Sequence, residues 1–233
     1  MSEIKYSNDY IKAMCTMIAR GDITDIDTFK EYLQYADLDN PVRATHSELD
    51  MLFGVNLNSL NPKYYISDFG SEKEYSPIDL ILYSCICNKS YYTYKKDLFK
   101  KIIKIDSIDF SNVYKTLNYS VAKGDLELFN SLMSLNPNLN IKCSALRNGE
   151  PISILDDCLS LAICRLTING EYVSRYYPKE IFNTFLSLKN VDYTLLKSTK
   201  GILEALLDVE DIDIENAPNI FKKAKEVVEN YNN

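Results

Sequence analysis

Apolar and polar positions recur along this chain with a helical period, and one stretch shows the pattern most plainly. In VAKGDLELFNSLMSLNPNLN, Val121 to Asn140, a helix end runs into a Gly-Asp turn, a second amphipathic helix and an Asn/Pro exit. Gly suits a left-handed helix end and Asp suits the cap of the helix that follows. The second helix of that stretch has relatives: Leu128–Asn140 lines up with Thr28–Asn40, Leu98–Phe110, Ile181–Tyr193 and Ile202–Ile214. In each copy apolar residues fall at positions 2, 5, 6 and 8, as at Phe129, Leu132, Met133 and Leu135, which puts the first three on one helical face. An apolar residue and then Asp or Asn close the copy, as at Leu38-Asp39, Ile108-Asp109, Leu139-Asn140, Val191-Asp192 and Ile212-Asp213. Asp and Asn bond local backbone with their short side chains, so each copy predicts a helix and then a turn.

What precedes the copies also repeats. Ile18-Ala19-Arg20-Gly21-Asp22 parallels Val121-Ala122-Lys123-Gly124-Asp125. Upstream stand Ser76-Pro77-Ile78-Asp79, Lys115-Thr116-Leu117-Asn118 and Glu150-Pro151-Ile152-Ser153, which are predicted helix starts. Two of the three place Pro at the first helical position, where its missing N–H does no harm. These openings, the Gly turn and the second helix together resemble the ankyrin repeat, whose units open with Thr-Pro-Leu-His. The resemblance covers Tyr10 to Asn40 and Tyr75 to Ile214. It departs from the family in two ways: no opening keeps the His, and the period of about 33 residues is broken. The resemblance implies an all-α, irregular helical-repeat solenoid of about five helix-turn-helix units.

The expected organisation is a helix-turn-helix cap over residues 1–41, an irregular connecting unit over 42–75, repeats over 76–215 and a capping helix over 216–233. A helix is predicted after Ser47 in Ser47–Gly54, and Asn216 starts the last one. Two links between paired helices are long: Ser84–Asp97, with Tyr91, Tyr92 and Tyr94, and Cys164–Glu180, with Tyr172, Tyr176 and Tyr177. In a helical-repeat array both would emerge at the same end of the helices, and insertions in such arrays gather on one face, often the binding face.

Composition narrows the classes. The chain is 46% hydrophobic and 25% charged over 233 residues, ordinary for a folded protein. No run approaches the roughly 20 apolar residues of a membrane span, and the first residues lack a secretory signal's apolar core, so the expected location is the cytoplasm. A net charge of -7 disfavours nucleic acid and favours a basic protein partner. Glu204, Asp208, Glu210, Asp211, Asp213 and Glu215 form an acidic run that could steer such a partner. Lys95, Lys96, Lys100, Lys101 and Lys104 crowd another helix, and a solvated face is the ordinary reading of such clusters. The six cysteines read as small buried residues.

Candidate chemistry is thin. His46 is the single histidine, and no nucleophile-elbow sequence supports a catalytic centre on it. Cys85 and Cys87 would diverge by about 200° on a helix, against a shared metal. Asp156 and Asp157 could be proposed as an acid–base pair, but acidic residues at a helix start commonly serve its dipole. Phosphate-binding glycine motifs are missing from the sequence, and neither cofactor nor metal is expected.

The expected function is therefore non-catalytic binding that masks or sequesters a protein. Aromatic contacts would come from Tyr91, Tyr92, Tyr94, Tyr172, Tyr176 and Tyr177, and steering from Glu204, Asp208 and Asp211. The resemblance implies an adaptor, inhibitor, immunity protein or host-interaction factor, the last placing it in a host cell's cytoplasm. The competing expectation is an enzyme or effector with a site in residues 42–74, using His46 with Glu48 or Asp50.

Overall fold

A computed structural model describes residues 8–53, 72–87, 92–147, 150–168, 171–172, 177–189, 192, 195–196, 199–202 and 226. The protein is mostly helical, with three two-stranded antiparallel ribbons among the described residues. By packing it divides into two compact units, Met1–Thr116 and Leu117–Asn233. The boundary falls inside the run of repeats expected over 76–215.

In the first unit, α1 (Asn8–Arg20) buries Ile11, Met14, Cys15 and Ile18, the stripe an amphipathic helix turns to its core. Gly21, at a φ of +87°, ends the helix. Its amide bonds Ile18 O, and the Asp22 amide reaches back to Met17 O. The expected cap of the next helix, Asp22, is displaced: Asp25 caps α2 (Ile26–Leu33), accepting from the amides of Asp27 and Thr28. Two intervening residues, Ile23 and Thr24, carry the chain to that position. Strand β1 (Val42–Ala44) pairs with β2 (Lys73–Tyr75), with Val42 opposite Tyr75. The helix expected after Ser47 is α3 (His46–Phe53), within the chain that joins those strands. Then α4 (Pro77–Ile86), capped by Ser76, is buried along its whole length. It is the core helix of this unit, with α1 and α5 (Tyr92–Ile102) packed along it. Phe53 meets Tyr83 edge-on at 5.0 Å.

The second unit repeats this order. Helix α6 (Tyr114–Lys123), whose first three residues are counted with the first unit, ends at Gly124 with a φ of +65°. Asp125 caps α7 (Leu126–Met133), as the Gly-Asp pattern predicts. Phe129 and Leu132 are buried while Met133 is half-buried, so the expected face is real but narrower than the pattern suggests. Strands β3 (Lys142–Arg147) and β4 (Glu150–Ser153) form a hairpin with a register shift between Lys142 and Leu146. Here the expectation of a helix start at Glu150-Pro151-Ile152-Ser153 is corrected. Pro151 lies in a strand, and Ser153, whose Oγ accepts from the Asp156 amide at 3.1 Å, opens α8 (Ile154–Leu166) three residues later. Most of α8 is buried, as in α4. After a ribbon of β5 (Thr167–Ile168) and β6 (Glu171–Tyr172), α9 (Lys179–Leu186) returns along α8, and Phe129 meets Phe185 edge-on at 5.3 Å.

The two units thus share an order: two helices, a ribbon, a buried helix and a helix packed along it. Residues 199–202 are again helical. Apart from Glu226, which is helical, the expected capping helix over 216–233 lies outside the described residues.

Candidate functional site

The first four amides of a helix have no partner within it. Helix α6 begins after Val113, which carries no polar side chain, and its amides are served from another helix. The Lys115 amide donates to Asp79 Oδ2 and the Thr116 amide to Asp79 Oδ1 at 2.9 Å. The Thr116 hydroxyl lies 2.7 Å from Oδ1 and 3.1 Å from the Asp79 carbonyl oxygen. Asp79 is held in the first turn of α4, where its own amide donates to Ser76 Oγ at 3.4 Å. It is 2% exposed, and burial raises its carboxyl to about 6, against the lowering effect of the Thr116 and Lys115 hydrogen bonds and the Lys115 charge.

The second unit builds the same Asp–Thr contact. Asp156, 0% exposed in the first turn of α8, accepts from the Thr199 amide and hydroxyl, each at 2.8 Å on Oδ1. The Thr199 hydroxyl is 3.4 Å from the Asp156 carbonyl oxygen. Asp157 takes a different partner, the Asn118 side-chain amide at 2.6 Å. The acid–base pairing considered for Asp156 and Asp157 is therefore not what the structure builds: each carboxylate holds a separate helix. Sequence reasoning missed the Asp–Thr joints. Their signal is Ser-x-x-Asp at Ser76–Asp79 and Ser153–Asp156, with Thr 37 and 43 residues after the Asp.

The tyrosine-bearing links differ from their expected form. Ser84–Ile86 belong to α4 and Tyr92–Asp97 to α5, so the first link shortens to a few residues, and Tyr92 and Tyr94 stand on the first turn of a helix rather than in a loop. On the α4 side, the buried Cys85 and Ile86 carry the helix's apolar run through its last turn. Tyr91 and Tyr176 lie outside the described residues, as do the side chains of Tyr92, Tyr94 and Tyr172. Tyr172 pairs in β6 opposite Thr167. Tyr177 is half-buried. With Pro178 it covers the α6–α7 turn, so that a Cβ built on Gly124 would lie 3.0 Å from Pro178 Cδ and 3.2 Å from Tyr177 Cδ2. Burial raises the Tyr177 hydroxyl's pKa, with Cys158 adding to the rise and Arg165 opposing it. Glu204, Asp208 and Asp211 lie outside the described residues.

The lysine cluster on α5 is not uniformly solvated. Lys95 is 2% exposed and donates to the carbonyl of Ala19, capping the C-terminal end of α1, where a cation meets the negative end of the helix dipole. Burial lowers its pKa, and the nearby thiols Cys87 and Cys85 oppose that. Lys100, Lys101 and Lys104 are exposed.

Of the other candidates, Glu48 closes a capping box, accepting from the Thr45 amide at 2.7 Å while its own amide donates to Thr45 Oγ1 at 3.2 Å. The Thr45 amide, and secondarily Lys12 at 3.3 Å, hold its carboxyl below the ordinary value, a setting for a charged cap rather than a proton donor at neutral pH. The side chains of His46 and Asp50 lie outside the described residues. Five cysteines are buried and Cys164 is exposed, all as free thiols. Burial pushes Cys87 up to about 12, which makes it a poor nucleophile. Among the described residues, no three His, Cys, Asp or Glu side chains are gathered for a metal, and no helix is long and apolar enough to cross a membrane. Compared with family models, curated proteins and solved structures, the chain matches none.

Proposed function

We propose that this chain is a non-catalytic helical-repeat protein, an ankyrin-like solenoid of about five units that binds and masks a protein partner. The observation that carries the reading is the repeated plan of the two units, each with a buried helix whose first-turn Asp caps the start of a later helix. Helical-repeat proteins act through extended surfaces.

In this reading Tyr91, Tyr92, Tyr94, Tyr172 and Tyr176 supply aromatic contact area. Tyr177 and Pro178 hold down one end of the second segment on the Gly124 turn. Glu204, Asp208 and Asp211 speed the approach of a basic partner. The biological setting is that of an inhibitor, immunity protein or host-interaction factor in a cytoplasm.

The test is affinity capture from the native source with the full chain, in parallel with a variant carrying Tyr92→Ala, Tyr94→Ala, Tyr172→Ala and Tyr176→Ala. The reading expects one partner whose recovery falls at least tenfold with the variant and whose association slows as salt is raised. Equal recovery by the two proteins would remove the tyrosines from the binding surface. Loss of function on His46→Ala, with the tyrosine variant active, would remove the binding reading itself.

A further inference from the structure

A buried carboxylate is costly, and the ordinary remedy is an ion pair. Asp79 has a different remedy. Both oxygens face donors from α6, and one of the two donors on Oδ1 is a hydroxyl with a second acceptor in reach, the Asp79 carbonyl oxygen. A hydroxyl has one hydrogen and rotates freely, so it serves only one of those acceptors at a time and can itself accept.

We propose that Asp79 and Thr116 form a proton-accepting joint that stays closed in both charge states. With the carboxylate charged, the Thr116 hydroxyl donates to Oδ1. When a proton binds Oδ1, the new O–H donates to Thr116 Oγ1, and the hydroxyl turns to donate to the Asp79 carbonyl. The Thr116 amide keeps a lone pair on Oδ1, and the Lys115 amide keeps Oδ2. The proton goes to Oδ1 because Oδ2 faces an N–H, which cannot accept one. No covalent bond beyond the O–H forms or breaks, and the proton comes from solvent.

The surroundings set the pH at which this happens. From α1 come Lys12, ion-paired with Glu48, and Cys15, coupled to Cys85 and Cys87 at the far end of α4. From α5 comes Lys95, bonded to Ala19. Tyr75 ends the strand leading into α4, and Lys115 stands at the start of α6. Of these charges it is the Lys115 ammonium, 5.5 and 5.0 Å from the ring centres of Tyr75 and Tyr83, that acts on Asp79, favouring the charged form. Burial outweighs it and places the titration at about pH 6. The same hydroxyl geometry recurs at Thr199, 2.8 Å from Asp156 Oδ1 and 3.4 Å from the Asp156 carbonyl oxygen.

The test is a carbon-13 NMR titration of the Asp79 carboxyl in the full chain, with amide exchange of Lys115 and Thr116 followed from pH 4.5 to 7.5. The proposal expects a midpoint near 6, with both amides keeping their protection within about threefold after correction for intrinsic exchange. A midpoint below about 4.5 overturns it, and so does a tenfold loss of protection at either amide on the same midpoint, which would mean that the joint opens. Thr116→Ser should keep the wild-type midpoint, whereas Thr116→Val should move it up by about one unit, a tenfold change in proton affinity. Should Thr116→Val fail to fold, the wild-type and Thr116→Ser titrations decide alone: a Ser midpoint displaced by a unit or more overturns the role of the hydroxyl.

Discussion

Gly21 and Gly124 end their helices with the same backbone. Both have positive φ, +87° and +65°, and in both turns the glycine amide reaches back three residues and the following Asp amide five. Their surroundings differ: nothing lies within 4 Å of a Cβ built on Gly21, while Pro178 and Tyr177 crowd the one built on Gly124. The difference teaches what the repeat conserves and what it varies. The turn and the Asp–Thr joint are the repeated frame, and the material added around that frame distinguishes one unit from the other.

The largest expected effects are at the joints, because they are shared. Asp79→Ala and Asp156→Ala each strand buried donors at a helix start, and each should lower unfolding free energy by about 3 kcal/mol in urea titration. A loss below about 1 kcal/mol at one site and not the other would break the equivalence of the two units. Next come the glycines, where the comparison separates conformation from crowding. Gly21→Ala should cost about 1 kcal/mol, from the left-handed backbone alone. Gly124→Ala adds a contact with Pro178 and should cost about 2 to 3 kcal/mol. Equal costs would show that the Tyr177–Pro178 cover yields easily.

A smaller effect depends on pH. The Asp79 carboxyl is raised from 3.8 to about 6 in the folded protein, so the folded state binds the proton more tightly than the unfolded state does. Its burial penalty is then full above pH 6 and is relieved as pH falls toward 4. Relative to Asp79→Asn, which does not titrate there, the wild type should gain about 1.5 kcal/mol of stability between pH 7 and pH 5. A difference that stays constant would place the folded value below about 4.5. The smallest expected effect is at the surface. Arg43 and Glu74, at 2.9 Å, are 64% and 55% exposed, and Arg43→Ala should change stability by no more than about 0.5 kcal/mol.

The local part of this structure was legible in the sequence. The helix-ending glycines, the Asp125 cap and the Ser-Pro start of α4 rest on short-range hydrogen bonds that particular residue types favour, and the structure agrees with the expectation at each; the short helix expected after Ser47 is present but starts one residue earlier, behind Thr45. Where a short-range signal had two outlets, the reading went astray. Pro151 suits a helix start and also the strand it occupies, and the bond from the Asp156 amide to Ser153 decides between them. Asp22 had the right type for a cap, but the cap fell to Asp25. Long-range partnerships were not legible. Lys95 looked like one of five solvated lysines, and its partner, Ala19, is 76 residues away. The joints span 37 and 43 residues, and they emerge only when two Ser-x-x-Asp openings are compared together with the threonines that follow them. For the tyrosine segments, sequence located the residues but misjudged the first link, because α4 and α5 extend into it.

The central claim is that one joint has been used twice. It is tested most directly by two double-mutant cycles in the full chain, Asp79→Ala with Thr116→Val and Asp156→Ala with Thr199→Val, read as unfolding free energies. The account predicts a favourable coupling of about 1 to 2 kcal/mol in each cycle, equal within error, because each pairs a buried carboxylate with a hydroxyl. Coupling in one cycle and additivity in the other would contradict it.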